Sequence, residues 1–172
     1  MQTAAFRLGF VAVVLASGTL WAGNASGHAD HGGGGTARPA PLSITQGSFY
    51  PMSDEGAAVF GSARLVRSED SSELAVHVRG LAEETKYPMH LHEGSCGEMG
   101  PHYRHDPQGA AEPPNELWPT SDPEDPEAGV TTDSGGVANG KGTAPWTARP
   151  EAAAVMIHNH DTGMMVACAD LS

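Results

Sequence analysis

Apolar positions along this chain fall into short runs that alternate with polar ones and are broken by turn residues. In Leu74–Arg79, Leu74, Val76 and Val78 share one face, and Ala75, His77 and Arg79 share the other. That two-residue period predicts a half-buried strand with His77 on its outer surface. Similar segments span Leu42–Phe49, Ala57–Val66, Tyr87–His92, Val130–Thr132, Gly136–Thr143, Ala152–His158 and Met164–Ala167. About eight short antiparallel strands with polar turns, and no helical period, predict an all-β sandwich or barrel. Between Gly94 and Gly129 the alternation stops. This stretch of Pro, Gly and acids is too long for an ordinary connection, and such loops in compact domains are usually functional.

The N-terminal end follows a different pattern. Leu8–Leu20 is an uninterrupted run of apolar and small residues after Arg7, followed by small residues at Gly23 and Ala25. It is short for a membrane span and has the layout of a secretory signal. We therefore expect residues 1–25 to be a signal peptide cut after Ala25 (a cut after Gly27 is the alternative). Residues 26–41 read as a flexible Gly- and His-rich tether and 42–172 as one domain, with no membrane span once the signal is removed. Cleavage after Ala25 exposes Ser26-Gly27-His28. Its amine, two amides and imidazole suit Cu(II), so His28 and His31 form a candidate tether metal site beside the plainer reading of a disordered linker.

Composition narrows the function. The chain has 172 residues, a formal charge of −12, 9 His and 2 Cys. That acidity argues against nucleic acid or an anionic membrane as partner. Two Cys can make one bridge in an oxidising compartment, which fits a periplasmic or secreted protein. His90 and His92 lie one residue apart on a strand, so both imidazoles face one side while Leu91 points into the core. His102, His105, His158 and His160 complete a group of six His in the segments MHLHEGSCG, GPHYRHDP and AVMIHNHD.

Taken in order with GVTTDSGGVANG and GMMVAC, these segments resemble the Cu/Zn superoxide dismutase family over roughly Gly56 to Asp170. The resemblance implies a Greek-key β-barrel with a long metal-side loop. It implies His90, His92, His102 and His158 as copper ligands, with His102 as the bridging, proton-delivering catalytic residue. It also implies a disulfide between Cys96 and Cys168. The substrate would be superoxide, disproportionated to O2 and H2O2 by Cu(II)/Cu(I) cycling.

Three departures qualify that picture. No His occurs from Asp106 to Ile157, so a full zinc site is not expected and copper alone is. Without zinc, the second nitrogen of His102 needs another partner, for which Glu112 and Glu116 are the candidates. Met165 stands where the family carries a guanidinium beside the copper, and only nine residues separate His158 from Cys168, where the family has a longer charged loop. Asp161 is a candidate acceptor for a copper-bound His, and His160 reads as a surface residue, with an added ligand as the alternative. Acids crowd the span from Glu98 to Asp133, with Arg104 as its one base. That field repels superoxide and attracts copper ions. The alternative reading is accordingly a copper storage, buffering or delivery protein on the same fold, working with a copper donor or acceptor protein.

Overall fold

The computed structural model describes residues 42–172. The expected signal peptide (1–25), the tether (26–41) and its candidate site at His28 and His31 lie outside the described residues. Ten strands follow in chain order: β1 Ser43–Ser48, β2 Tyr50–Pro51, β3 Phe60–Arg67, β4 Ser72–Arg79, β5 Lys86–Tyr87, β6 Met89–Glu93, β7 Val130–Thr131, β8 Ala138–Ala144, β9 Ala152–His158 and β10 Met165–Asp170. Among the described residues there is no helix, and none long and apolar enough to cross a membrane.

The strands form two four-stranded sheets, ordered β1-β3-β4-β8 and β2-β10-β9-β6, and a small β5-β7 pair, with antiparallel pairing throughout. Their alternation explains the layering. Leu74, Val76 and Val78 of β4 and Ala63 and Leu65 of β3 are buried, and so are Met89 and Leu91 of β6 and Val155 and Ile157 of β9. All belong to one apolar core shared by both large sheets. Burying each of the Leu, Val, Ile and Met side chains contributes roughly 1.5–3 kcal/mol relative to leaving it in water. Strand pairing does not close the sheets into a barrel. The Gln46 and Ser172 backbones exchange two hydrogen bonds of 3.2 Å, joining β1 to the C-terminal end of the chain that follows β10.

Strand β6 is an edge of its sheet, and the segment 101–103 covers that edge. Glu93 N donates to Pro101 O at 2.9 Å, Tyr103 N donates to Leu91 O at 2.9 Å, and His92 pairs with His102. The loop thus behaves locally as an added strand, satisfying groups an open edge would leave unpaired. Tyr103 enters the core and its hydroxyl accepts from Arg149 N at 2.9 Å. Alternation then sends His102 to the opposite face, where His90 and His92 lie.

The long loop also packs across β8, where the inward positions are Ala138, Gly140, Gly142 and Ala144. A Cβ at Gly142 would lie 2.3 Å from Trp118 O, so the absence of a side chain there lets residues 117–120 approach. Leu117 is buried in the core, and Thr120 bridges to Lys141. The neighbouring Glu116 is held in place by these contacts.

Candidate metal centre

Four imidazoles converge on the outer face of the β2-β10-β9-β6 sheet. One ligand nitrogen each from His90, His92, His102 and His158 lies within 4.8 Å of all the others. Two come from β6, one from the end of β9 and one from the strand-like segment beside β6. His90 and His102 have ring centroids 3.7 Å apart, and His90 and His158 4.7 Å. His105 instead stacks on Trp146 at 4.8 Å with a 7° interplanar angle. His160 is exposed and contacts Asp161. The strand residue His77 bonds Asn139 Oδ1 at 2.7 Å, away from this set.

Hydrogen bonds fix which nitrogen of His92, His158 and His102 is free. His92 Nδ1 donates to Gly100 O at 2.8 Å, and His158 Nδ1 donates to Gly163 O at 3.1 Å. His102 Nδ1 donates to Glu116 Oε2 at 3.0 Å. Each of these rings therefore presents Nε2 as a bare lone pair. Nε2 of His92 and Nε2 of His158 are 3.4 Å apart, and His90 Nδ1 lies 3.0 Å from His92 Nε2. The bare Nε2 lone pairs of His92 and His158 repel one another, and a shared cation removes that repulsion. The donor set therefore fits a metal ion, and its all-imidazole chemistry suits copper, zinc, iron or nickel.

The surroundings keep these nitrogens unprotonated. Burial, followed by the neighbouring rings of His102, His158 and His92, pushes His90 down to about 2. Burial pushes His92 down to about 4 against the opposing bond to Gly100. Burial also lowers His158, against the bond to Gly163. Ligand nitrogens must be deprotonated to bind a metal, so these three are ready near neutrality. A stability consequence follows for the metal-free protein. Between about pH 6.5 and 4 the unfolded chain binds protons that the folded imidazoles refuse, so stability falls as pH falls. Each excess proton costs about 1.4 kcal/mol per pH unit. Glu116 acts in the same direction, since its depressed carboxyl loses stabilisation as it is protonated. Urea midpoints of chelator-treated protein are expected to drop steadily from pH 7 to pH 5; a flat profile would refute neutral buried imidazoles.

Glu116 is the acid beneath the cluster. It is 2% exposed, and its Oε2 also accepts from Trp118 Nε1 at 2.7 Å. Burial raises its carboxyl. The hydrogen bonds from His102 and Trp118, with the charges of His102 and Arg104, outweigh this and hold it below the usual range. It stays ionised and orients the His102 ring. Glu112, the other candidate, is exposed, and its backbone oxygen caps the turn that holds Asn115 and Glu116. Glu116→Gln is expected to weaken metal binding about tenfold while the fold persists, because the neutral amide orients and polarises His102 less. A competition titration against a chelator of known affinity measures this, and an unchanged affinity would remove Glu116 from the centre.

Asp161 lies at the hairpin tip with its carboxylate 3.2 Å from His160 Nδ1. The acceptor that orients His158 is the Gly163 carbonyl. Three partners were not singled out from the sequence: Gly100 O, Gly163 O and the Trp118 indole, whose ring lies 5.4 Å from His90. Two are backbone atoms that any residue type carries. The glycine before His102 was a usable clue. A Cβ at Gly100 would sit 1.9 Å from Glu93 O, so only glycine fits there and lets its own carbonyl reach His92.

Cys96 and Cys168 form a disulfide across 72 residues of sequence. With Ala154 and Met156 they make a small buried cluster on the His-bearing side of the sheet. Cys96 N also donates to Asp170 Oδ1 at 2.7 Å. The loop that carries Gly100 and His102 is thereby fastened to β10. In the acid run, Asp122 Oδ1 accepts from Glu124 N and Asp125 Oδ1 accepts from Glu127 N, so these two carboxylates build turns. No protein-family model matches the chain, and no curated protein matches it in sequence.

Proposed function

We propose that this protein is a copper-dependent superoxide dismutase that works outside the cytoplasm, in the periplasm or as a secreted protein. The observation that carries the reading is the set of four converging imidazoles, three of which, His92, His158 and His102, have their other nitrogen committed to Gly100, Gly163 and Glu116. The ordered likeness to Cu/Zn superoxide dismutases supports copper as the ion and a Greek-key arrangement of the strands. The disulfide supports an oxidising compartment.

Copper, when bound, supplies an electron acceptor for one superoxide and an electron donor for the next. The chain's residues prepare the rest. His90 and His92 are buried and hold fixed positions on β6. His102 is the ligand suited to handle protons, since its side chain is 41% exposed and its Nδ1 is held by ionised Glu116. A proton from water taken up at His102 Nε2, in place of that nitrogen's bond to the metal, would give an imidazolium that the Glu116 carboxylate stabilises. That proton then serves the reduced oxygen product.

Met165 supports a second reading. It lies directly opposite His158 in the β9-β10 pairing, and a thioether there gives superoxide no positive charge to approach. A copper storage or delivery protein would tolerate this. Loading the protein with Cu(II) and measuring bound metal together with the dismutation rate separates the two. One copper per chain with fast turnover is expected. Tight copper with negligible turnover would overturn the enzyme reading in favour of storage.

A further inference from the structure

We infer that Met52 and Met165 form a receiving site for Cu(I) beside the four-imidazole cluster, from which the ion passes to His158; the inference rests on the copper reading above. The two thioethers come from separate parts of the chain. Both are half-buried, and both pack on the cluster of Cys96, Cys168, Met156 and Ala154. Met165 is the cross-strand partner of His158. The ladder is irregular between Met165 and Ala167, and Met165 packs on the Ala154 and Met156 side of the sheet, the side from which His158 projects. Met52 is tied to the residue after Met165 by its N–H bond to Val166 O at 2.9 Å. The residue before Met165, Met164, is 64% exposed.

The chemistry of sulfur gives this placement a direction. A thioether is soft and neutral and selects Cu(I), whereas an imidazole accepts copper in either oxidation state. A methionine pair at the rim, followed by His158, therefore takes the reduced ion first. Gap filling inside a core is the ordinary use of methionine. Met52 and Met165 stand outside the main core, against the small cluster that contains the disulfide. Transfer changes only coordination: Cu(I) leaves its carrier, binds the thioethers, and moves to the Nε2 lone pair of His158 without gain or loss of an electron.

The test mixes copper-free protein with the Cu(I)–bicinchoninate complex and follows loss of the complex's colour. Met52→Leu/Met165→Leu, which conserves volume, should take up Cu(I) about tenfold more slowly, within the range over which association rates vary among variants of one site. Its final copper content, and its uptake of Cu(II) from a glycine complex, should stay unchanged. Equal Cu(I) rates, or equal slowing for Cu(II), would overturn the inference. A second measurement needs no variant. Ag(I), a redox-inert stand-in, should shift the methyl resonances of Met52 and Met165 in the unsubstituted protein, and unmoved resonances would likewise overturn it. If the unsubstituted protein takes copper from neither complex, the copper reading fails first and the inference falls with it.

Discussion

His158→Ala is expected to abolish stoichiometric copper retention, lowering affinity by more than about a hundredfold, beyond the range found for groups that only orient a ligand. The reason lies in how the four rings divide their work. His158 is the ligand supplied by β9, and its Nε2 closes the set against His92 Nε2 at 3.4 Å. It ends its strand, and its side chain lies outside the apolar core. Truncation therefore removes a ligand without opening a cavity in the apolar core, and the metal-free variant should lose only about 1 kcal/mol, for the half-buried ring's bond to Gly163. Metal analysis after dialysis against a chelator, paired with a denaturant melt, separates lost binding from lost folding. Full copper retention by a well-folded variant would show that the imidazole cluster is not the copper site.

The second large effect concerns the disulfide. Cys96→Ala/Cys168→Ala should destabilise the metal-free protein by about 4 kcal/mol on the chain-entropy account, because the bridge closes a long loop in the unfolded chain. A loss of that size lowers the melting temperature by roughly 10 °C or more. Copper affinity should fall as well. Residues 97–102, just beyond Cys96, contain both the Gly100 carbonyl that orients His92 and the ligand His102. Without the bridge, this segment is held mainly by its pairing with β6 and by Tyr103 in the core. Urea melts of the double variant and the parent, with a chelator competition at equal pH, measure both effects. Equal midpoints would mean that the bridge contributes nothing to stability, and equal affinities would mean that the loop is held without it.

Much of the strand framework could be read from the alternation. Ala152–His158 is observed with the same limits as expected, and Leu74–Val78 lies within β4. The irregular stretch after Gly94 holds no strand before Val130. These features were legible because a sheet with one buried face writes its period directly into the residue order. The partners of the imidazoles were less so. Glu116 and Glu112 are equivalent as sequence, since either acid lies within reach of a loop His. Packing separates them: Leu117 anchors one end of the turn in the core and buries Glu116, while Glu112 stays in water. Asp161 likewise looked able to orient a ligand, but the hairpin turns it toward His160 and offers His158 the Gly163 carbonyl.

The sequence by itself determined the fold class, the same-face placement of His90 and His92, and the supply of imidazole and thiol groups. These depend on local period and residue chemistry, which short stretches of chain carry complete. Tertiary structure brings His102 and His158 to the pair on β6 and Cys96 to Cys168, as the family resemblance implied, and it alone decided which nitrogen His92, His102 and His158 leave free. Those outcomes depend on contacts between residues tens of positions apart. They also depend on backbone carbonyls, which every residue possesses and only the folded chain aims.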